Sequence, residues 1–105
     1  MEQLLLLITN NFNFNWMHYL VRNLEDTSDL KPDPPYESWK EFWEDKTQMK
    51  ADKCSHCKCK ENIVGAHVEM AFGDNNYYII PLCKKCNKFT GDFFVETKLV
   101  RTNKK

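Results

Sequence analysis

The sequence predicts an α+β chain in which two helices precede a small, cysteine-clamped β module. Three observations carry this reading. Apolar residues recur at helical spacing before residue 45, prolines 32, 34 and 35 interrupt them, and two Cys-x2-Cys pairs bracket an alternating apolar and polar stretch. The length of 105 residues suits one domain. Fifteen basic side chains balance fifteen acidic ones, but the two signs are segregated. Residues 1–45 carry a formal −6 and residues 46–105 a formal +6. Binding follows local potential, so the split says more than the zero total. It excludes both a uniformly basic coat and an acidic disordered tail.

The first helix is expected from Leu4 to about Leu24. Phe12, Trp16, Tyr19, Leu20 and Leu24 recur every three to four residues, and Asn10, Asn11 or Asn13 supplies a cap. Residues 25–35 read as a linker, because the prolines stop a helix and favour extended chain. The second helix is expected near Ser38. There Ser38-Trp39-Lys40-Glu41 fits a capping box, and Trp39, Phe42 and Trp43 form a compact aromatic face suited to core packing. Residues 1–52 thus read as a helical extension packing on a module of residues 53–105.

Within that module Asn62–Met70 reads as a strand with Val64, Ala66, Val68 and Met70 on one face. Phe72-Gly73-Asp74-Asn75-Asn76 supplies a turn, and Tyr77–Leu82 returns as the partner strand of a hairpin. Pro81 belongs at an edge or a strand end, since it donates nothing to a ladder. Phe93–Val100 is expected to form one more short strand, with Arg101–Lys105 frayed.

Cys54-Ser-His-Cys57 and Cys83-Lys-Lys-Cys86 are separated by 25 residues. Each C-x2-C turn places two sulfurs along one edge of a tetrahedral site with metal–sulfur bonds of about 2.3 Å. Two pairs supply four ligands and leave no open position, which points to a structural Zn²⁺ rather than a catalytic one. Disulfides are the alternative. The longest apolar run, Leu4–Ile8, is too short for a membrane span or a signal peptide, so the chain reads as cytoplasmic, with reduced thiols. Cys59 is the odd thiol, and the spacing leaves Cys57 and Cys59 both open as ligands. His56, inside the first knuckle, is a further candidate ligand, but with four thiolates available it reads as an exposed side chain. Cys86-Asn87-Lys88-Phe89 reads as the first turn of a short helix whose N–H groups favour thiolates. Knuckle, hairpin and short helix together make a treble clef, with too small a core to fold unaided.

Cys54-x2-Cys57, Gly65-Ala66-His67-Val68 and Pro81-Leu82-Cys83-Lys84-Lys85-Cys86-Asn87 resemble the HNH-like, ββα-metal family over residues 53–90. That resemblance implies a structural zinc on the four cysteines and a nuclease site in which His67 activates water. Asn87 matches the family's final metal-binding position, and Mg²⁺ or Mn²⁺ would stabilise the leaving oxygen. The chain departs from the family at Ala66, where an acidic residue or second His is usual. It departs again at Tyr78, where the Asn that orients the base is usual.

Three functions are compatible with these features. The first is a non-catalytic zinc module binding nucleic acid through Lys58, Lys60, Lys84, Lys85 and Lys88, with weak sequence preference because lysine contacts phosphates. The second is a metal-dependent HNH-type endonuclease with His67 as base. The third is an adaptor or inhibitor whose acidic N-terminal half engages a protein partner.

Overall fold

A computed structural model describes residues 16–24 and 31–103. The described chain is mostly β: a five-stranded antiparallel sheet and one α-helix. The elements are β1 (Trp16–Asn23), α1 (Trp39–Thr47), β2 (Ile63–Met70), β3 (Tyr77–Cys83), β4 (Asp92–Lys98) and β5 (Val100–Thr102). A 3-10 turn, Cys86–Lys88, follows β3, and the sheet order is β4-β1-β2-β3-β5.

The expected two N-terminal helices are therefore corrected. Trp16–Asn23 is a strand, and the Leu4–Asn15 part of that expectation lies outside the described residues. Trp16, Tyr19 and Leu20 satisfy helical spacing, but Tyr19, Val21 and Asn23 also alternate, and the sheet supplies partners for the alternation. Tyr19 lies opposite Val95, while Val21 lies opposite both Phe93 and Met70. Val21 is 0% exposed. His18, Leu20 and Arg22 take the outer face, where Arg22 Nε donates to Asp92 Oδ1 at 3.1 Å.

The treble-clef helix after the second cysteine pair is corrected as well. Only one 3-10 turn forms, and the chain then passes through Gly91 (φ +92°) into β4. The carbonyls of Cys86 and Phe89 are taken by the Asn23 carboxamide at 3.0 and 2.9 Å, and Phe89 N–H closes the 3-10 bond to Cys86. A continuing helix would need the Cys86 carbonyl for an i+4 donor.

The hairpin matches its expected bounds closely, with Val64 opposite Leu82, Ala66 opposite Ile80 and Val68 opposite Tyr78. Ile79, Ile80 and Leu82 are all fully buried, so β3 is covered on both faces. That double burial is why it reads as a continuous apolar run. Pro81 turns its carbonyl, and with it the missing N–H, away from the β2 ladder. The carbonyl instead accepts the Ser55 N–H at 2.9 Å. The expected frayed tail is corrected at Arg101 and Thr102, which pair with Tyr78 and Tyr77, while residues 104–105 of that expectation lie outside the described residues.

Helix α1 begins where the cap predicts. Ser38 Oγ accepts the Glu41 N–H at 3.1 Å, while the Glu41 carboxylate accepts from Glu37 N rather than from Ser38. The helix lies on β2 and β3 with Trp39 and Trp43 buried, and the Trp43 indole N–H donates to the Lys98 carbonyl at 3.0 Å. Ser38→Ala should lower unfolding free energy by about 1 kcal/mol. Urea denaturation of the metal-loaded protein checks this, and an unchanged midpoint would contradict the cap's role.

Candidate metal centre

The first knuckle is shaped by its own backbone. Cys54 N–H donates to the Cys59 carbonyl at 2.8 Å, and Lys58 N–H donates to the Cys54 carbonyl at 3.0 Å. Lys58 takes a left-handed conformation, φ 71°, to complete the turn. This fold aims the His56 and Cys57 N–H groups at Cys54 Sγ, 3.4 and 3.5 Å away. The second knuckle repeats the device, with Cys86 N–H 3.4 Å from Cys83 Sγ. Such donors favour sulfur as thiolate.

Ser55 joins the two halves of the centre. Its N–H reaches Pro81 of β3, and its carbonyl accepts from Glu96 N of β4, both at 2.9 Å. These strands are separated by β1 and β2 in the sheet order, so the knuckle clamps a curled sheet. Asn23 fixes the second knuckle from β1 through its two carbonyl contacts. Neither residue is marked by any local pattern, because each acts on chain distant in sequence. Asn23→Ala should weaken metal affinity by roughly tenfold, as loss of a supporting hydrogen bond typically does. Competition with a chromophoric chelator measures it, and an unchanged affinity would contradict the assignment.

The four knuckle thiols, Cys54, Cys57, Cys83 and Cys86, lie within 4.8 Å of one another. Cys57 Sγ and Cys83 Sγ are 3.8 Å apart. Bonds of about 2.3 Å to a tetrahedral ion set sulfur–sulfur edges of about 3.8 Å, whereas a disulfide requires about 2.05 Å. All five cysteines are free thiols. Cys59 stands outside the four, with Sγ 3.8 Å from the Glu61 carbonyl. Cys54, Cys83 and Cys86 are buried and Cys57 is exposed, so the centre has one open flank.

The electrostatics suit a cation. The Cys59 backbone N–H, and next its side chain, pull Cys57 down to about 6, while burial first and the Cys83 thiol next push Cys86 up. Four thiols this close resist common ionisation, and a divalent ion removes that resistance by binding all four as thiolates. The group can therefore hold a metal ion.

The other expected site residues are placed as follows. His67 is 3% exposed, and its ring meets that of Trp39 edge-on at 4.6 Å. Asn87 is exposed on the 3-10 turn. His56 is exposed, with Nδ1 2.7 Å from the Phe94 carbonyl and its ring against Phe93. Lys60, Lys84, Lys85 and Lys88 are exposed, whereas Lys58 Nζ pairs with Glu96 Oε1 at 3.0 Å. That ion pair holds the Glu96 carboxyl below its usual range.

Comparison of the chain with protein-family models, curated proteins and solved structures gives no match. Among the described residues no helix is long and apolar enough to cross a membrane.

Proposed function

We propose that the protein is a zinc-stapled, non-catalytic binding module whose lysine-bearing knuckle surface contacts nucleic acid. The observation that carries the metal part is the convergence of four thiols within 4.8 Å. An all-thiolate set suits Zn²⁺, and four protein ligands close the coordination sphere to substrate. The ion supplies folding energy there, not an activated water.

Two features support the binding part. Lys84, Lys85 and Lys88 project from the second knuckle, and none of them forms an ion pair among the described residues. Free ammonium groups on a rigid turn favour phosphates through counterion release, with little base selectivity. The setting of His67 favours the non-catalytic reading over the nuclease, since a general base must reach the proton it takes. Its imidazole lies beneath Trp39 instead of on a surface.

Elemental analysis of purified protein should find one zinc per chain, and that protein should retard labelled oligonucleotides at low salt. Purified protein folded without bound metal would overturn the staple. Failure to retard DNA or RNA would overturn the partner. Plasmid nicking with Mg²⁺ or Mn²⁺ that disappears in His67→Ala would overturn the non-catalytic reading.

A further inference from the structure

We infer that the cleft between α1 and the first knuckle is a phosphate-binding site, built by lysines from three separate segments. The inference rests on the proposed nucleic-acid partner only for the source of the phosphate. Lys40 on α1, Lys50 just beyond the helix and Lys60 beyond the first knuckle line one open cleft of about 570 Å³.

Glu44, Asp52 and Asn62 complete the polar lining. Three ammonium groups outnumber the two carboxylates. Glu44 Oε2 accepts the Ala51 N–H at 2.8 Å, which holds that carboxylate in place but leaves its charge, so the lining keeps a formal excess of one positive charge. None of the three lysines forms an ion pair among the described residues. Like charges gathered without paired counterions create a local positive potential that an anion relieves.

The cleft also has a neighbour. Asn62 on its lip accepts the Lys84 N–H through its backbone carbonyl at 3.0 Å. That contact connects the cleft to Lys84, Lys85 and Lys88 on the second knuckle. The lysines of α1, of the first knuckle's exit and of the second knuckle thus belong to neighbouring segments of chain. Lys40 belongs to the half of the sequence with a formal −6, so local placement decides its role where the regional charge misleads.

The test uses the metal-loaded full chain and two alanine triples: Lys40→Ala with Lys50→Ala and Lys60→Ala, and Lys84→Ala with Lys85→Ala and Lys88→Ala. Fluorescence anisotropy with labelled single-stranded and duplex oligonucleotides reads macromolecular binding. Titration with inorganic pyrophosphate, followed by amide NMR at Lys60 and Asn62, reads the cleft alone. The cleft triple should raise Kd roughly tenfold and reduce the salt slope by about 1. It should also abolish pyrophosphate shifts seen in the wild type.

Unchanged oligonucleotide binding in the cleft triple, beside weakened binding in the knuckle triple, would overturn the cleft and leave the proposed function standing. If the wild type binds no oligonucleotide, the proposed partner fails and pyrophosphate decides the cleft. Shifts lost in the cleft triple then support a site for free phosphate, and absence of shifts overturns it.

Discussion

Cys83→Ser should unfold the protein at room temperature rather than merely loosen it. Cys83 ends β3, accepts the Cys86 N–H and lies 3.8 Å from Cys57 Sγ, so it links the hairpin, the two knuckles and the candidate metal centre. Structural zinc contributes an apparent ~10–16 kcal/mol in small domains, against a total stability of about 5–15 kcal/mol for a typical fold. A three-thiolate remnant holds the ion far less tightly. Ser55 then loses the rigid loop that lets it bridge Pro81 and Glu96. Circular dichroism should show loss of the near-ultraviolet signal, and chelation of the wild type should give the same end state. A cooperative melt in Cys83→Ser near the wild-type temperature would contradict the staple.

Gly65→Ala should produce the second-largest effect, by a different route. A Cβ at this position would stand 2.4 Å from Lys40 N and from the Trp39 carbonyl carbon, both backbone atoms that cannot swing aside. The glycine lets the first turn of α1 rest directly on β2. Added bulk must lift the helix and with it Trp39 and Trp43, whose burial anchors the outer layer. Overpacking commonly costs about 1–3 kcal/mol. Partial withdrawal of two large aromatics should raise the total to about 3–5 kcal/mol, the range for losing one core aromatic. Melting should fall by about 4–8 °C for each kcal/mol lost. The thiols are untouched, so this variant should still take up one metal ion in the cold. Wild-type melting would contradict the close approach.

These two sites also mark what local sequence can reveal. The knuckles, the hairpin and the Ser38 cap are written in neighbouring residues: C-x2-C spacing, strict alternation from Val64 to Met70, and a hydroxyl three residues before Glu41. Each interaction is short in sequence, so pattern and structure coincide. β1 differs because Trp16, Tyr19 and Leu20 fit the helical period while Tyr19, Val21 and Asn23 fit the strand period. The choice is made by Phe93 and Val95, more than seventy residues away. The 3-10 turn depends in the same way on Asn23, whose carboxamide occupies carbonyls 63 and 66 residues distant. Long-range pairing decided both, and no window of a few residues contains it.

The candidate site shows the same division. Three cysteines are legible by spacing, with Cys57 or Cys59 as the fourth, and the structure gathers Cys57 with Cys54, Cys83 and Cys86 while leaving Cys59 aside. The lysines are legible as a run but not as individuals. Lys58 is drawn to Glu96, whereas Lys40 and Lys50 join Lys60 in a cleft created by docking of the helix. His67 alternates like any strand residue, and only the packing of Trp39 determines that it is covered.

The most direct test of the metal centre is a Co²⁺ titration of the metal-free protein, followed by visible absorption. Binding to Cys54, Cys57, Cys83 and Cys86 as a tetrahedral thiolate set predicts intense d–d bands, thiolate-to-metal charge transfer and saturation at one ion per chain. Recovery of native circular dichroism should track those bands. Weak, pale absorption typical of six-coordinate cobalt, or native structure present before any metal is added, would contradict the account.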